Sequence, residues 1–219
     1  MKIVIFGNGG LAHLTWYFLT NDSPHDVVGF AVDARYIVET EFHGLPVVKF
    51  PEVTSSFAPG DCAMLLPIGP IDMNTLRVER LHAARRMGYR IGRYVSTRAM
   101  TWPDLEIGDN VMIHDGAIVQ PFAHIGENTI VRSGAHVSHH AAIGANCFIA
   151  SGACLGGNVT VEEGCFIGLN ATVRDGVTVA RSCAIGAGAV VVADTSPDGL
   201  YVGVPARRAD RPASELHRL

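Results

Sequence analysis

The chain has 219 residues, of which 48% are apolar, and a formal net charge of −4 at neutral pH, typical of one large globular domain or two small ones. Its basic residues are scattered rather than clustered with aromatic residues, which argues against a nucleic-acid partner. Five cysteines without a CxxC pair argue against a disulfide framework and against a zinc knuckle.

Residues 1–95 alternate between strand and helix patterns. The strand KIVIF precedes a helix over residues 10–20, and the segments DVVGFAVD and CAMLLPIG predict two further strands. Residues 72–88 carry apolar side chains at helical spacing and end at a glycine. This alternation predicts a small parallel α/β domain of Rossmann-like type over residues 1–95. The N-terminal apolar run is too short for a signal peptide or membrane span, so we expect a cytoplasmic protein without a membrane segment.

A glycine-rich turn joins the first predicted strand to the first helix. It reads GNGGLA and satisfies the pattern G-x-G-x-x-Gly/Ala, and an aspartate ends the second predicted strand. Backbone N–H groups at a helix N-terminus favour phosphate, and a carboxylate there can accept hydrogen bonds from sugar hydroxyls. The motif favours a phosphorylated nucleotide and leaves NAD binding or a purely structural turn as alternatives. The residues expected to bind substrate are Gly7, Asn8, Gly9, Gly10 and Asp33.

From residue 107 to residue 191 the chain has a period of six. Ile, Val or Leu occupies every sixth position, fifteen times without a slip, and a glycine often follows it. This pattern is typical of a parallel β-helix in which each hexad forms one short strand and a corner, three to a coil. Fifteen hexads therefore predict a β-helix of five coils in a domain over residues 96–194. Residues 195–219 are expected to form a charged, partly mobile tail.

Positions three hexads apart should lie above one another in this β-helix, about 4.8 Å apart. Cys147, Cys165 and Cys183 form one such column, which we interpret as packing of a narrow core rather than as a thiol ladder or metal site. No two histidines in residues 114–140 are separated by one or two whole coils, which argues against a zinc site built from stacked coils. Three of these histidines are expected to be solvated surface residues: His114, His124 and His136.

Each hexad turns at a corner after its apolar residue, and most corners are Gly or Asn, which tolerate a left-handed backbone. Phe122 and His140 break this rule in the central coils and stack on one edge. A residue other than Gly or Asn costs on the order of 1 kcal/mol at such a corner. This cost favours a functional role for the exceptions over the alternative, a pair of surface histidines tolerated by evolutionary drift. His139 shares a column with Gly157, whose missing side chain predicts an open slot for a slender ligand beside the imidazole.

The GNGG turn, the hexads, the segment from His139 to Val173 and the terminal YVGVPAR resemble the sugar O- and N-acyltransferases of the sialic acid O-acetyltransferase and bacillosamine-pathway N-acetyltransferase type. The resemblance extends to about Arg208. It implies a left-handed β-helix and a homotrimer that transfers acetyl from acetyl-CoA to a nucleotide-linked 4-amino deoxy sugar. The sugar nucleotide would bind the N-terminal domain, and CoA would lie between two β-helices without any metal.

The same resemblance assigns roles to individual residues. The base of the family corresponds to His139, and the CoA contacts correspond to Gly157, Leu169 and Ala187. The chain departs from the family at three positions: His140 replaces an acidic residue, Phe148 replaces a histidine that contacts the thioester, and Leu11 replaces a Gly-His step.

These assignments predict direct transfer. The acceptor amine attacks the thioester carbonyl while the neutral imidazole of His139 takes the proton, a contribution of about 10²- to 10⁴-fold. The backbone N–H of Gly157 is a candidate to hold the oxyanion, and His140 to orient the base or contact the sugar. The alternatives are O-acetylation, another acyl donor or a small acceptor without a nucleotide, and a non-catalytic scaffold or ligand sensor.

Overall fold

The computed structural model describes residues 1–217. The N-terminal elements are β1 Lys2–Phe6, α1 Gly10–Asp22, β2 Asp26–Val32, β3 Glu41–Phe42, β4 Leu45–Lys49, α2 Val53–Ser56, β5 Cys62–Leu65, α3 Thr75–Arg86, β6 Arg90–Ile91 and β7 Tyr94–Val95. The strands that follow are β8 Met112–Ile113, β9 Ile118–Val119, β10 His124–Ile125, β11 Ile130–Val131, β12 His136–Val137, β13 Ala142–Ile143, β14 Phe148–Ile149, β15 Cys154–Leu155, β16 Thr160–Val161, β17 Phe166–Ile167, β18 Thr172–Val173, β19 Thr178–Val179, β20 Ala184–Ile185, β21 Val190–Val191, β22 Gly199–Val202 and β23 Arg207–Pro212.

The N-terminal strands form one sheet in the order β3-β4-β2-β1-β5-β6, parallel except for the β3–β4 hairpin. Successive strand residues point to opposite faces, so Ile3 and Ile5 pack on the side of α1, whereas Val4 and Phe6 pack with α3. The predicted Rossmann-like α/β architecture is confirmed, as are the helices predicted over residues 10–20 and 72–88.

The hexads form a triangular coil with three walls. The first wall contains β7, β8, β11, β14, β17 and β20, the second β9, β12, β15, β18 and β21, and the third β10, β13, β16 and β19. All these strands pair in parallel, and each residue lies opposite the one three hexads later, as in Ile130 opposite Phe148. The inward side chains form one continuous buried core, which includes Cys147, Cys165 and Cys183, so the cysteine column is core packing.

The corners form three edges along the coil. The edge that joins the third wall to the first contains asparagine corners and is called the asparagine edge. The edge that joins the first wall to the second contains mostly glycine corners and is called the groove edge. The edge that joins the second wall to the third contains the histidine corner and is called the histidine edge. Phe122 (φ 65°) and His140 (φ 58°) lie on the histidine edge in the left-handed region, as do the asparagine and glycine corners. The prediction of left-handed corners is therefore confirmed.

The N-terminal sheet and α1 pack against the first wall in one apolar cluster that contains Ile3, Met112 and Ile130. His114 points outward from this wall and is only 1% exposed, with its ring 5.1 Å from that of Phe18. The expectation of a solvated His114 is therefore wrong. The period of six identifies outward positions, but not that another domain covers this wall.

Arg77 connects α3 to the asparagine edge. Its guanidinium is completely buried and donates to the backbone carbonyls of Ile68, Asn128, Asn146 and Cys147 at 2.9 to 3.2 Å. Burial lowers the pKa of Arg77 to about 10, but the group stays charged at neutral pH. These bonds fix α3 against the corners of two successive coils.

The C-terminal segment continues the first wall. β22 pairs in parallel with β20, and β23 returns antiparallel to β22. Residues 199–215 of the predicted tail form this hairpin and the 3₁₀ turn after it, in which Ala213 is buried. Residues 218–219 of the predicted tail lie outside the described residues. Across residues 1–217, no helix is long and apolar enough to cross a membrane.

Candidate functional site

His139 is held on the histidine edge between β12 and β13. Its backbone N–H donates to Oε1 of Gln120 at 2.9 Å, and its carbonyl accepts from the N–H of Asn158 at 3.0 Å. The coils on either side therefore fix its backbone, while the side chain is exposed. The ring of His140 packs 4.8 Å from the ring of Phe122, so the two residues that break the corner rule are in direct contact.

The two imidazoles form a hydrogen-bonded pair. Nδ1 of His139 lies 3.2 Å from Nδ1 of His140, so one nitrogen must donate and the other must accept. If Nδ1 of His139 carries the proton, its Nε2 has a free lone pair and can accept a proton from a substrate. A base oriented by a second group in this way is a recurring arrangement for activating a nucleophile.

Gly157 lies against the face of the His139 ring. A Cβ at position 157 would lie 2.6 Å from Cε1 and 2.8 Å from Nε2 of His139, so the imidazole itself occupies the expected slot, and the expectation of an open slot is wrong. The N–H of Gly157 donates to Oδ1 of Asp175 at 2.6 Å. This amide is therefore not free to hold an oxyanion, and that expectation is also wrong. Asp175 lies one coil beyond Gly157 in the same column, a position that column counting could have identified.

A groove of about 720 Å³ lies between the N-terminal domain and the first wall, and opens at the groove edge. Two of the expected CoA contacts, Leu169 and Ala187, line it, and Leu11 reaches it from the start of α1. Most of the lining is apolar, including Phe148, and the charged group in it is the guanidinium of Arg132, a residue that the sequence analysis did not identify.

The glycine turn has the backbone geometry that its sequence predicts. Gly7 has φ 108°, but its N–H donates to the carbonyl of Ala31 at 2.8 Å and is not available to a ligand. Gly9 caps α1 without a side-chain hydrogen bond, and a Cβ at Gly9 or Gly10 would meet no neighbour within 4 Å. The space beside Gly9 and Gly10 at the start of α1 is therefore open. Asn8 donates to the carbonyl of Tyr36 at 3.0 Å.

Asp33 is already paired with a residue of α3. Nε of Arg80 donates to Oδ1 at 3.1 Å and Nη2 donates to Oδ2 at 2.9 Å, which makes a two-point ion pair. Because each oxygen of the carboxylate already accepts one hydrogen bond from Arg80, a sugar hydroxyl could donate only to the lone pairs that Arg80 leaves free.

The expected site residues divide into two groups within one chain. The glycine turn adjoins the groove through Leu11, where Leu169 and Ala187 also lie, whereas His139 and Gly157 lie on the histidine edge. His139 and Gly157 do not line the groove that contains Leu169 and Ala187. One protomer therefore does not bring all the expected residues into one pocket. No cluster of His, Cys, Asp and Glu within residues 1–217 could hold a metal ion.

Two family profiles match the coil. The profile described as bacterial transferase hexapeptide (six repeats) matches residues 104–139 and 123–157, and the hexapeptide repeat of succinyl-transferase matches residues 158–193. A search of curated protein sequences finds no match.

Solved structures match nearly the whole chain. PerB from Caulobacter crescentus, in complex with CoA and GDP-perosamine, is 26% identical over 95% of this chain and 97% of its own, with a TM-score of 0.83. A histidine-to-asparagine mutant of perosamine N-acetyltransferase from the same organism, also with CoA and GDP-perosamine, is 27% identical over 96% and 98%, with a TM-score of 0.86. The acetyltransferase domain of PglB from Neisseria gonorrhoeae shares the fold at 24% identity over 95% and 99%, with a TM-score of 0.83. These matches confirm the left-handed β-helix and the sugar acyltransferase resemblance.

Proposed function

We propose that the chain is a hexapeptide-repeat acyltransferase that transfers an acetyl group from acetyl-CoA to the amino group of a nucleotide-linked deoxyamino sugar. One observation carries this proposal: the likeness at 26–27% identity, over 95–96% of the chain, to an N-acetyltransferase that was solved with CoA and GDP-perosamine. The likeness extends over both the N-terminal domain and the coil. The binding of both substrates is therefore the simplest function for the whole chain.

His139 is the proposed base. The acceptor amine attacks the thioester carbonyl, and Nε2 of His139 takes the proton that the amine loses. When the C–S bond breaks, the imidazolium returns this proton to the departing sulfur, so CoA leaves as the thiol. The Nδ1 proton of His139 is donated to Nδ1 of His140, and the contact with Phe122 restrains that second ring. His140 thus fills the orienting role that an acidic neighbour fills in the family, and the left-handed corners at Phe122 and His140 keep their rings in contact.

The proposed active site is shared between protomers of a homotrimer. The proposed base lies on the histidine edge, and the proposed CoA contacts Leu169 and Ala187 lie on the groove edge, so threefold closure that apposes these edges would unite them. Exposed apolar side chains support this arrangement, because Phe122 is 71% exposed on one edge and Leu169 is 53% exposed on the other. The nucleotide diphosphate is proposed to lie at the start of α1, near Gly9 and Gly10.

The test is a transfer assay. Mass spectrometry should detect an acetyl group on a member of a panel of amino- and hydroxy-nucleotide sugars supplied with acetyl-CoA. His139→Ala should lower kcat/KM at least about 100-fold with unchanged CoA affinity. His124→Ala is the matched control, because His124 is an exposed histidine on the third wall. No transfer to any acceptor would refute the proposed function, and full activity of His139→Ala would refute the base.

The panel also distinguishes the remaining alternatives. Turnover restricted to hydroxy sugars would indicate O-acetylation, and turnover with another acyl-CoA would indicate a different donor. A non-catalytic ligand-binding coil predicts CoA binding without turnover and no effect of His139→Ala on any measured property.

A further inference from the structure

Arg132 is a cation at the inner end of the groove. It follows β11 on the first wall, directly above His114 in the same column, and the next residues in that column are Ala150 and Gly168. Because these two residues carry at most a methyl group, the column leaves space beside the guanidinium. The N-terminal domain covers the other side of this space through Leu11.

Within residues 1–217 the guanidinium of Arg132 has no hydrogen-bond acceptor. Its Nη1 is buried without a partner, and no carboxylate oxygen lies within the 4.0 Å of an ion pair. The negative charge of Asp115 stabilises the guanidinium only from beyond ion-pair distance. Its Oδ1 already accepts a hydrogen bond from the hydroxyl of Ser133 at 2.7 Å. Burial lowers the pKa of Arg132, and Asp115 partly opposes this.

The neighbouring histidine cannot supply the missing negative charge. His114 is buried with an unpartnered Nδ1, and burial, reinforced by the charge of Arg132, lowers its pKa to about 3. It is therefore a neutral group beside a cation. Arg132 is only partly buried, but its Nη1 is enclosed without an acceptor, which is costly for a donor, and a ligand oxygen in the groove would satisfy it.

We propose that Arg132 binds an anionic oxygen group of a substrate in this groove, carried either by a phosphate or by a carboxylate. This inference rests on the proposed function for the identity of the substrates. Two sources can present such a group here: the diphosphate of the nucleotide sugar, which would reach the groove from the start of α1 past Leu11, and a carboxylate at the far end of the acyl chain. The planar guanidinium pairs with both through two parallel hydrogen bonds.

The experiment measures binding and needs no turnover. Isothermal titration calorimetry compares the full-length protein with Arg132→Gln, using GDP, UDP and dTDP as diphosphate probes, and acetyl-CoA and succinyl-CoA as neutral and carboxylate-bearing acyl probes. Arg86→Gln is the matched control, because Arg86 is exposed at the end of α3 and outside the groove. The Tm of each ligand-free protein provides the test of folding.

A diphosphate source predicts that Arg132→Gln binds the preferred nucleoside diphosphate at least about 10-fold more weakly, with unchanged acyl-CoA affinities. A carboxylate source predicts that the wild type prefers succinyl-CoA to acetyl-CoA and that Arg132→Gln loses this preference. In both cases the ligand-free Tm should be equal to or above that of the wild type, because an enclosed Nη1 without an acceptor has been removed.

Unchanged affinity of Arg132→Gln for every probe overturns the anion site, and a lowered Tm with unchanged affinities would show that Arg132 is structural. These results are independent of acetyl transfer. If no sugar is acetylated but Arg132→Gln loses affinity for a probe, the anion site stands and the proposed reaction fails.

Discussion

A methyl group at position 157 should impair catalysis while leaving the fold intact. Gly157 is not among the glycines with positive φ, so Gly157→Ala introduces no backbone strain. Its new Cβ would lie 2.6 Å from Cε1 of His139, whereas ordinary contact begins at 3.4 Å, so the ring must move by at least 3.4 − 2.6 = 0.8 Å. The backbone of His139 is hydrogen-bonded on both sides, so the imidazole must rotate away from its position beside His140.

A displacement of this size is large for a catalytic base. A misplacement of about 1 Å costs on the order of 100-fold in rate, so kcat/KM of Gly157→Ala should fall about 100-fold in the acetyl-transfer assay. Most of the loss should be in kcat, because the base acts in the transition state. Gly60→Ala is the matched control, since a Cβ at Gly60 meets nothing within 4 Å. Thermal denaturation should give the same Tm for both variants as for the wild type.

The double variant separates the effect on His139 from a general disturbance of the edge. In the His139→Ala background the methyl group has no ring to displace, so adding Gly157→Ala should cause no further loss of kcat/KM. Wild-type activity of Gly157→Ala, or additive losses in the double variant, would refute this reasoning.

Two further predictions concern stability and are checked by urea denaturation. Arg77→Met leaves the carbonyls of Ile68, Asn128 and Asn146 without a donor, whereas the carbonyl of Cys147 keeps the N–H of Ile130. At about 1–3 kcal/mol each, less the relief of burying a charge, we expect a loss of at least about 2 kcal/mol, and a loss below about 1 kcal/mol would contradict the role of Arg77. Burial lowers the pKa of His114 to about 3, whereas the unfolded chain binds this proton below about pH 6.5, so the wild type loses stability as the pH falls. From pH 7.5 to pH 5 the stability of His114→Gln relative to the wild type should rise by roughly 2 kcal/mol, and a difference independent of pH would contradict this assignment.

The coil could be predicted because the residues within each hexad are sufficient to specify its strand and its corner. An apolar residue every sixth position and a Gly or Asn at the corner determine the strand and the turn locally, and the count of three hexads to a coil then gives the columns. The same count predicted the contact between Phe122 and His140, which the structure contains. The helix α3 was predictable from helical spacing and from the glycine after its end, and α1 from the glycine turn that follows the first strand.

Contacts between the two domains could not be predicted, because they join residues far apart in the sequence. His114 has the pattern of an outward residue, and only the packing of Phe18 from α1 makes it buried. The prediction of an open slot at Gly157 was wrong for a related reason. The column shows which residues are neighbours, but not that the ring of His139 would turn onto the glycine and fill the space itself.

Two arginines at the domain interface show why the candidate site needs the structure as well as the sequence. Arg77 and Arg132 look alike in sequence, since each is a basic residue within a pattern that predicts packing. Arg77 reaches four carbonyls, three of them from residues 51 to 70 positions away, so Nε, Nη1 and Nη2 each have an acceptor. Arg132 reaches no acceptor in residues 1–217, in the same interface but beside an open groove. Because the fold satisfies the buried guanidinium of Arg77 and leaves the enclosed Nη1 of Arg132 without an acceptor, stability explains the first residue, and the proposed anion site explains the second.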